Sequence, residues 1–153
     1  MLSCLGNVYE PILGGQELVD QLINLFNHSK PLIRKKAFAA LRIIFEQNDG
    51  LIGDNVDKVI VKLKEEKDDK VISVILNIFF TVLKKRPQYY PMLIKPLYEL
   101  LESNKNNWAL IKLVKLFDVM ITHEPRLRKK LNDPYLRIFS QTSAKSLEYE
   151  LIQ

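Results

Sequence analysis

Apolar residues along this chain recur every three or four positions, and the stretches that carry them recur at a longer interval of about 38–39 residues. Three stretches share one plan: SKPLIRKKAFAALRIIFEQND at 29–49, DDKVISVILNIFFTVLKKRPQYY at 68–90 and NNWALIKLVKLFDVMITHEPRLRKKL at 106–131. Each opens on a polar or turn-forming cluster and runs into a long apolar helix. Each follows a shorter amphipathic helix. A chain of this kind pairs helices side by side and presents long surfaces in place of one deep pocket.

The spacing predicts a first helix over 17–28, with Leu18, Leu22, Leu25 and Phe26 on one face. Ser29 and Pro31 open the next, since proline is tolerated in a first turn whose N–H groups have no partner within the helix. That helix carries two apolar stripes, Ile33–Ala37–Ala40–Leu41–Ile44 and Phe38–Leu41–Phe45, so it must pack against two neighbours before ending at 48–50. A second pair is expected over 55–64 (Val56, Val59, Ile60 and Leu63 inward) and 71–85. The latter is apolar nearly all round, which places it at the centre of the stack, and Arg86–Pro87 ends it. A third pair covers 91–102 (Leu93, Leu97, Leu100 and Leu101 inward) and 108–122, with Asn107 as the N-cap. A connection at His123–Pro125 is followed by a basic segment, 126–130, then by a helix that starts at Asp133–Pro134 and ends at Gln141, and a last helix from Ser143 carries Leu147 and Leu151. Leu2, Leu5 and Val8 read as the tail of an earlier helix, stopped by Pro11 and Gly14–Gly15.

No segment alternates with period two. The expected fold is therefore all-α, an α-solenoid of HEAT- or armadillo-like antiparallel helix pairs. It forms one stretch with units near 16–50, 54–87, 91–131 and 133–153. Both ends read as cut through a repeat, which predicts a piece of a longer chain.

Composition narrows the picture further. With 153 residues, 47% of them apolar and 27% charged, the chain can bury a core, so disorder is excluded as its general state. The single cysteine, Cys4, cannot form an internal disulfide and suits a reducing compartment. The first nine residues lack the basic start and apolar centre of a secretory signal. The most apolar run, 71–83, falls short of the roughly 20 residues that a bilayer span needs.

Catalytic chemistry finds no support. His28 and His123 stand in different repeats at helix ends, without cysteine or carboxylate at ligand spacing, and suit interaction with the helix dipole. No nucleophile elbow, phosphate loop, dinucleotide fingerprint or zinc-protease motif is present. Glu65, Glu66, Asp68 and Asp69, interleaved with lysines, read as a solvated loop. No cofactor, catalytic residue or metal ligand is therefore expected.

The net charge of +5 directs attention to two basic groups. One is Arg34, Lys35, Lys36 and Arg42, on the outer side of one helix; the other is Lys112, Lys115, Arg126, Arg128, Lys129 and Lys130. They are either a solvated face that keeps the chain soluble or a contact for an acidic protein or an anionic membrane, where each basic residue adds about 1 kcal/mol. Nucleic acid is disfavoured because Trp108 and the tyrosines fall beside apolar stripes, and Trp108 is expected in the core. Treated as a surface charge, Arg34 is expected to be replaceable by alanine with no loss of thermal stability.

The motifs also carry a resemblance. PLIRKKAFAALRIIF resembles the RKKA helix of the adaptin trunk, and KVISVILNIFF followed by RPQYYPMLIKPLYELL resembles its next repeat. NNWALIKLVKLF, then HEPRLRKKL, then SAKSLEYELI, is similar to the delta branch of the adaptins, the large subunits of adaptor protein complex 3. The resemblance covers roughly 11–153, with Asp118 and Val119 standing where small or apolar residues are common. It implies a non-enzymatic trunk segment acting in intracellular protein transport and vesicle-mediated cargo sorting. The implied partners are a sigma-type small chain, a mu-type medium chain, a beta-type large chain and an Arf-type GTPase. The implied place is cytoplasmic, peripheral on Golgi and endosomal membranes.

Overall fold

The computed structural model describes residues 15–153. The expected helix tail at 2–8, its stop at Pro11 and Gly14, and Cys4 lie outside them. The described residues form eight α-helices and two short 3-10 turns, without strands. The chain divides into two compact units, Met1–Pro87 and Gln88–Gln153. The long helices begin at Pro31, Asp69 and Asn107, so the period is 38 residues.

In the first unit α1 (Gly15–Leu25) pairs with α2 (Pro31–Gln47), and α3 (Ile52–Glu65) with α4 (Asp69–Lys85). The two long helices α2 and α4 make the broadest contact with each other. Their residues explain why. Ala37, Phe38, Ala40, Leu41, Ile44 and Phe45 of α2 are buried, as both expected stripes require. In α4, Ile75, Leu76, Ile78 and Phe79 are fully covered, as nearly continuous apolarity requires. Stacking of Phe26 on Phe38, with ring centroids 4.0 Å apart, seals the first turn. Asn55, a buried amide, is satisfied: its Nδ2 donates to Leu51 O (2.7 Å) and to Gln16 Oε1 (3.0 Å), while Gln16 Nε2 donates back to Asn55 Oδ1 (3.2 Å). This reciprocal pair ties α1 to α3.

The helix starts follow local chemistry. Asp68 accepts hydrogen bonds from the N–H groups of Lys70 and Val71, a cap typically worth about 1 kcal/mol. In the second unit the cap of α6 is Asn106, not the expected Asn107. Asn106 has the extended backbone a cap needs, and its side chain accepts from the N–H groups of Trp108 and Ala109.

The second unit comprises α5 (Tyr90–Ser103), α6 (Asn107–His123), α7 (Leu127–Gln141) and α8 (Lys145–Ile152). α6 touches all three others. Here one expectation is corrected. Asp133–Pro134 does not start a helix: the basic segment already belongs to α7, which runs from Leu127 straight through Pro134. Continuing the helix aligns Leu127, Leu131, Pro134 and Ile138 in a single buried stripe. An interior proline costs about 3 kcal/mol. Burying three large apolar side chains at about 1.5–3 kcal/mol each outweighs it. Pro96 inside α5 is buried on the same terms.

Leu76 has no exposed surface, whereas Leu32 is 61% exposed. Leu76→Ala is expected to lower unfolding stability by about 2–5 kcal/mol, and Leu32→Ala to change it by less than about 0.5 kcal/mol. Urea denaturation of the two variants checks this.

Candidate interaction surface

The first basic group does not act as one patch. Lys35 and Lys36 are exposed on α2 and make no ion pair among the described residues. Arg42 is half-buried and held by Glu46 one turn on, at 2.6 Å, and Glu46 also accepts from Thr81 Oγ1 at 3.4 Å. Arg34 points elsewhere. Its Nε and Nη2 donate to the two carboxylate oxygens of Glu66, each at 2.9 Å, and its Nη1 donates to the carbonyls of His28 (2.8 Å) and Ser29 (3.2 Å).

Only 17% of the Arg34 side chain and 6% of Glu66 is exposed. One planar guanidinium thus joins the α1–α2 turn to the α3–α4 turn through a bidentate fork that lysine cannot reproduce. Glu66 completes the joint by accepting the N–H groups of Lys67 and Asp68, both at 3.0 Å. Burial pulls the Glu66 carboxyl upward, but the Arg34 hydrogen bonds, these two N–H groups and the Arg34 charge outweigh it. Glu66 therefore titrates below the usual carboxylate range. The hydrogen bond to Glu66 likewise raises Arg34 above its ordinary value against the opposing effect of burial. The charged loop that reads as solvated is thus in part a structural joint. A second bridge, Arg86 Nε to Asp49 Oδ2 at 3.1 Å, links the turns at the opposite ends of α2 and α4.

The second basic group is brought together with acids. Lys115 of α6 reaches Glu150 of α8 at 3.4 Å. Asp118, one turn along α6, is pushed up by burial and by Glu150, with Arg128 of α7 opposing. The Tyr135 hydroxyl is buried without a hydrogen-bond partner, and burial with the nearby Asp118 charge raises it far above its ordinary value. Lys112 is half-buried and pulled down by that burial. Arg126, Arg128, Lys129 and Lys130 stand exposed around the start of α7.

Trp108 is a correction. It is 72% exposed, not a core residue. The buried stripes of α6 run through Ala109, Leu113, Leu116 and Met120 and through Leu110, Val114 and Phe117. Position 108 shares the opposite face with Lys112, Lys115 and Val119. His123, at the end of α6, stacks on Tyr90 at 5.8 Å, and His28 Nδ1 accepts the Lys30 N–H at 3.0 Å. Among the described residues no group of three histidine, cysteine, aspartate or glutamate side chains is placed to hold a metal ion, and no helix is long and apolar enough to cross a membrane.

Within each unit consecutive helices pack side by side, the arrangement of a helical-repeat protein. The family model described as the adaptin N terminal region matches residues 1–153, and the chain belongs to that family. It is 37% identical over 151 residues to the AP-3 complex subunit delta of Saccharomyces cerevisiae, covering 99% of this chain and 16% of the relative. It is 35% identical to the Dictyostelium discoideum subunit delta (99% and 13%) and 34% identical to subunit delta-1 of Bos taurus (90% and 11%). A homology model of the full-length AP-3 complex in an intermediate open conformation superposes with a TM-score of 0.84 at 38% identity, covering 97% of this chain and 26% of that one. The chain thus spans about a sixth or less of the length of these curated relatives. The match bears out the all-α solenoid class and the adaptin resemblance.

The joint reverses the expectation that Arg34 is dispensable. Arg34→Ala is expected to destabilise by about 2 kcal/mol, the range for hydrogen bonds to charged groups. Because the Glu66 carboxyl titrates low in the folded chain, its contribution is full above its unfolded value near 4.5 and is lost as pH falls through the lower folded value. The stability gap between the parent chain and Glu66→Gln is therefore expected to be open at pH 7 and to close below about pH 4. Urea titrations across pH measure it.

Proposed function

We propose that this chain is a non-enzymatic scaffold segment of a vesicle-coat adaptor large subunit of the delta type, acting in intracellular protein transport and vesicle-mediated cargo sorting. The observation that carries this reading is 37% identity to subunit delta across 99% of the chain. The physical mechanism is mechanical. Helices such as α2 and α4 bury two faces, and the Arg34–Glu66 joint fixes the turns, so the outer surfaces hold their shape while partners bind. The partners would be sigma-type small, mu-type medium and beta-type large subunits, with an Arf-type GTPase controlling recruitment to Golgi and endosomal membranes. The residues 16–153 would serve as successive repeats of one trunk.

A second reading rests on Lys35, Lys36, Lys129 and Lys130, which are exposed and free of ion pairs among the described residues. These lysines would add contact with anionic lipid.

Co-expression of the longer subunit with a sigma-type chain is expected to yield a complex through size-exclusion chromatography. Separate elution of the two chains contradicts the scaffold reading. Flotation with phosphatidylserine vesicles that disappears between low and high salt supports the lipid contact, and its absence at low salt removes it.

A further inference from the structure

Asp49–Gly50 is the chain's single aspartyl- or asparaginyl-glycine step. It lies in the first unit, in the turn between α2 and α3. The Asp49 side chain is half-exposed and Gly50 is exposed, so water reaches both.

Such a step rearranges without a catalyst. The Gly50 nitrogen forms a bond to Asp49 Cγ. The nitrogen's proton, one carboxylate oxygen and one proton from solvent leave as water, and a five-membered succinimide remains. Water then adds to one of the two ring carbonyls and cleaves that carbon's bond to nitrogen. Cleavage at Cγ restores aspartate. Cleavage at the main-chain carbonyl of Asp49 leaves the chain running through the side-chain carbon, as isoaspartate. No oxidant or reductant takes part. Glycine favours ring closure because no side chain shields its nitrogen and its backbone rotates freely.

Three contacts oppose ring closure here. Arg86 Nε donates to Asp49 Oδ2 at 3.1 Å, so the carboxylate must leave this ion pair before the nitrogen reaches Cγ. The Gly50 N–H donates to Asn48 Oδ1, also at 3.1 Å, which occupies the nucleophile. The Leu51 N–H donates to Asn48 O at 3.2 Å and closes the 3-10 turn Asp49–Leu51. Ring closure requires rotation about the Asp49 Cα–C bond, out of that turn. Two of these contacts are local. The third comes from Arg86, the residue after α4, so the neighbouring helix guards the reactive bond.

We infer that Asp49–Gly50 is a site of covalent modification by isoaspartate formation, held in check by Arg86. The product lengthens the main chain by one methylene. It also puts the free carboxylate directly on Cα, away from the position that Arg86 holds. The bridge between these ends of α2 and α4 is then lost, while the Arg34–Glu66 joint at their other ends stays intact. Modification therefore loosens one side of the first unit, and refolding does not reverse it. The inference is independent of the scaffold reading.

The test follows position 49 in the 153-residue chain during prolonged incubation at neutral pH. Peptide mapping by mass spectrometry measures the product, and methyl transfer from S-adenosylmethionine by an isoaspartyl methyltransferase is the second readout. The reference is a blocked peptide with the sequence Glu46–Ile52. The folded chain should form isoaspartate at least tenfold more slowly than the peptide, because the reaction waits on local opening of the turn. Arg86→Ala should recover most of that difference with helical circular dichroism unchanged. Arg42→Ala, which removes the separate ion pair to Glu46, should keep the parent rate. Adding Gly50→Ala to Arg86→Ala should suppress the product. High salt, which screens a half-exposed pair, should speed the parent chain and leave the peptide unchanged. Equal rates in parent and peptide overturn the inference. So does the parent rate in a folded Arg86→Ala chain, or equal acceleration by Arg42→Ala. Should Arg86→Ala lose helicity, the salt comparison decides alone, and an unchanged parent rate overturns the inference.

Discussion

The constraint on which everything else rests is that a helix apolar on two faces must be covered on both. α2 and α4 meet it by packing on each other and each on a shorter partner, and α6 meets it by touching α5, α7 and α8. The shorter helices need to bury only one stripe and leave their other side to solvent. This division of labour explains the 38-residue period, since one outer helix, one inner helix and two turns make the smallest unit that can be added without leaving apolar surface behind.

Hydrophobic burial does not by itself determine how the turns sit. Polar groups do that in the first unit, and they do so with few members. Arg34 meets two carbonyls of one turn and the carboxylate of the next, and Glu66 collects two further N–H groups. Asp49 with Arg86 performs a simpler version at the other ends of the same helices. A partly buried pair of this kind is costly to break from one side, because the remaining charge has lost its water without keeping its partner. Binding surfaces made of helix ends and turns need such definition, since a shift of the turn displaces every side chain it carries.

The first unit's helices were legible in the sequence because their apolar spacing leaves no other structure: Ala37, Leu41 and Ile44 of α2 and Val56, Val59, Ile60 and Leu63 of α3 are buried as their stripes require, while Ile33 is only half-buried and Ile52 and Asn55 join the α3 core one turn earlier than expected. Pro134 misled because a local rule for proline was set against a stripe visible only when Leu127 and Ile138 are placed on one helix. Trp108 misled for a related reason. Proximity in sequence to Ala109 and Leu110 suggested burial, but 100° of helical rotation separates neighbours, and its true face is that of Lys112 and Lys115. The Arg34–Glu66 joint was not legible at all. Its partners lie 32 residues apart, and each sits among like residues that do stay in solvent. An arginine in the first turn of one inner helix and an acid just before the next offer a signal only once the stacking is known.

Native-state hydrogen exchange tests most directly the claim that the doubly covered inner helices hold each unit together. Amides around Leu41 in α2, Leu76 in α4 and Leu113 in α6, all without exposed surface, should be the slowest to exchange, with α1 and α8 opening earlier. Protection in α1 or α8 equal to that of the inner helices would contradict the account, because it would place the source of stability outside the contacts described.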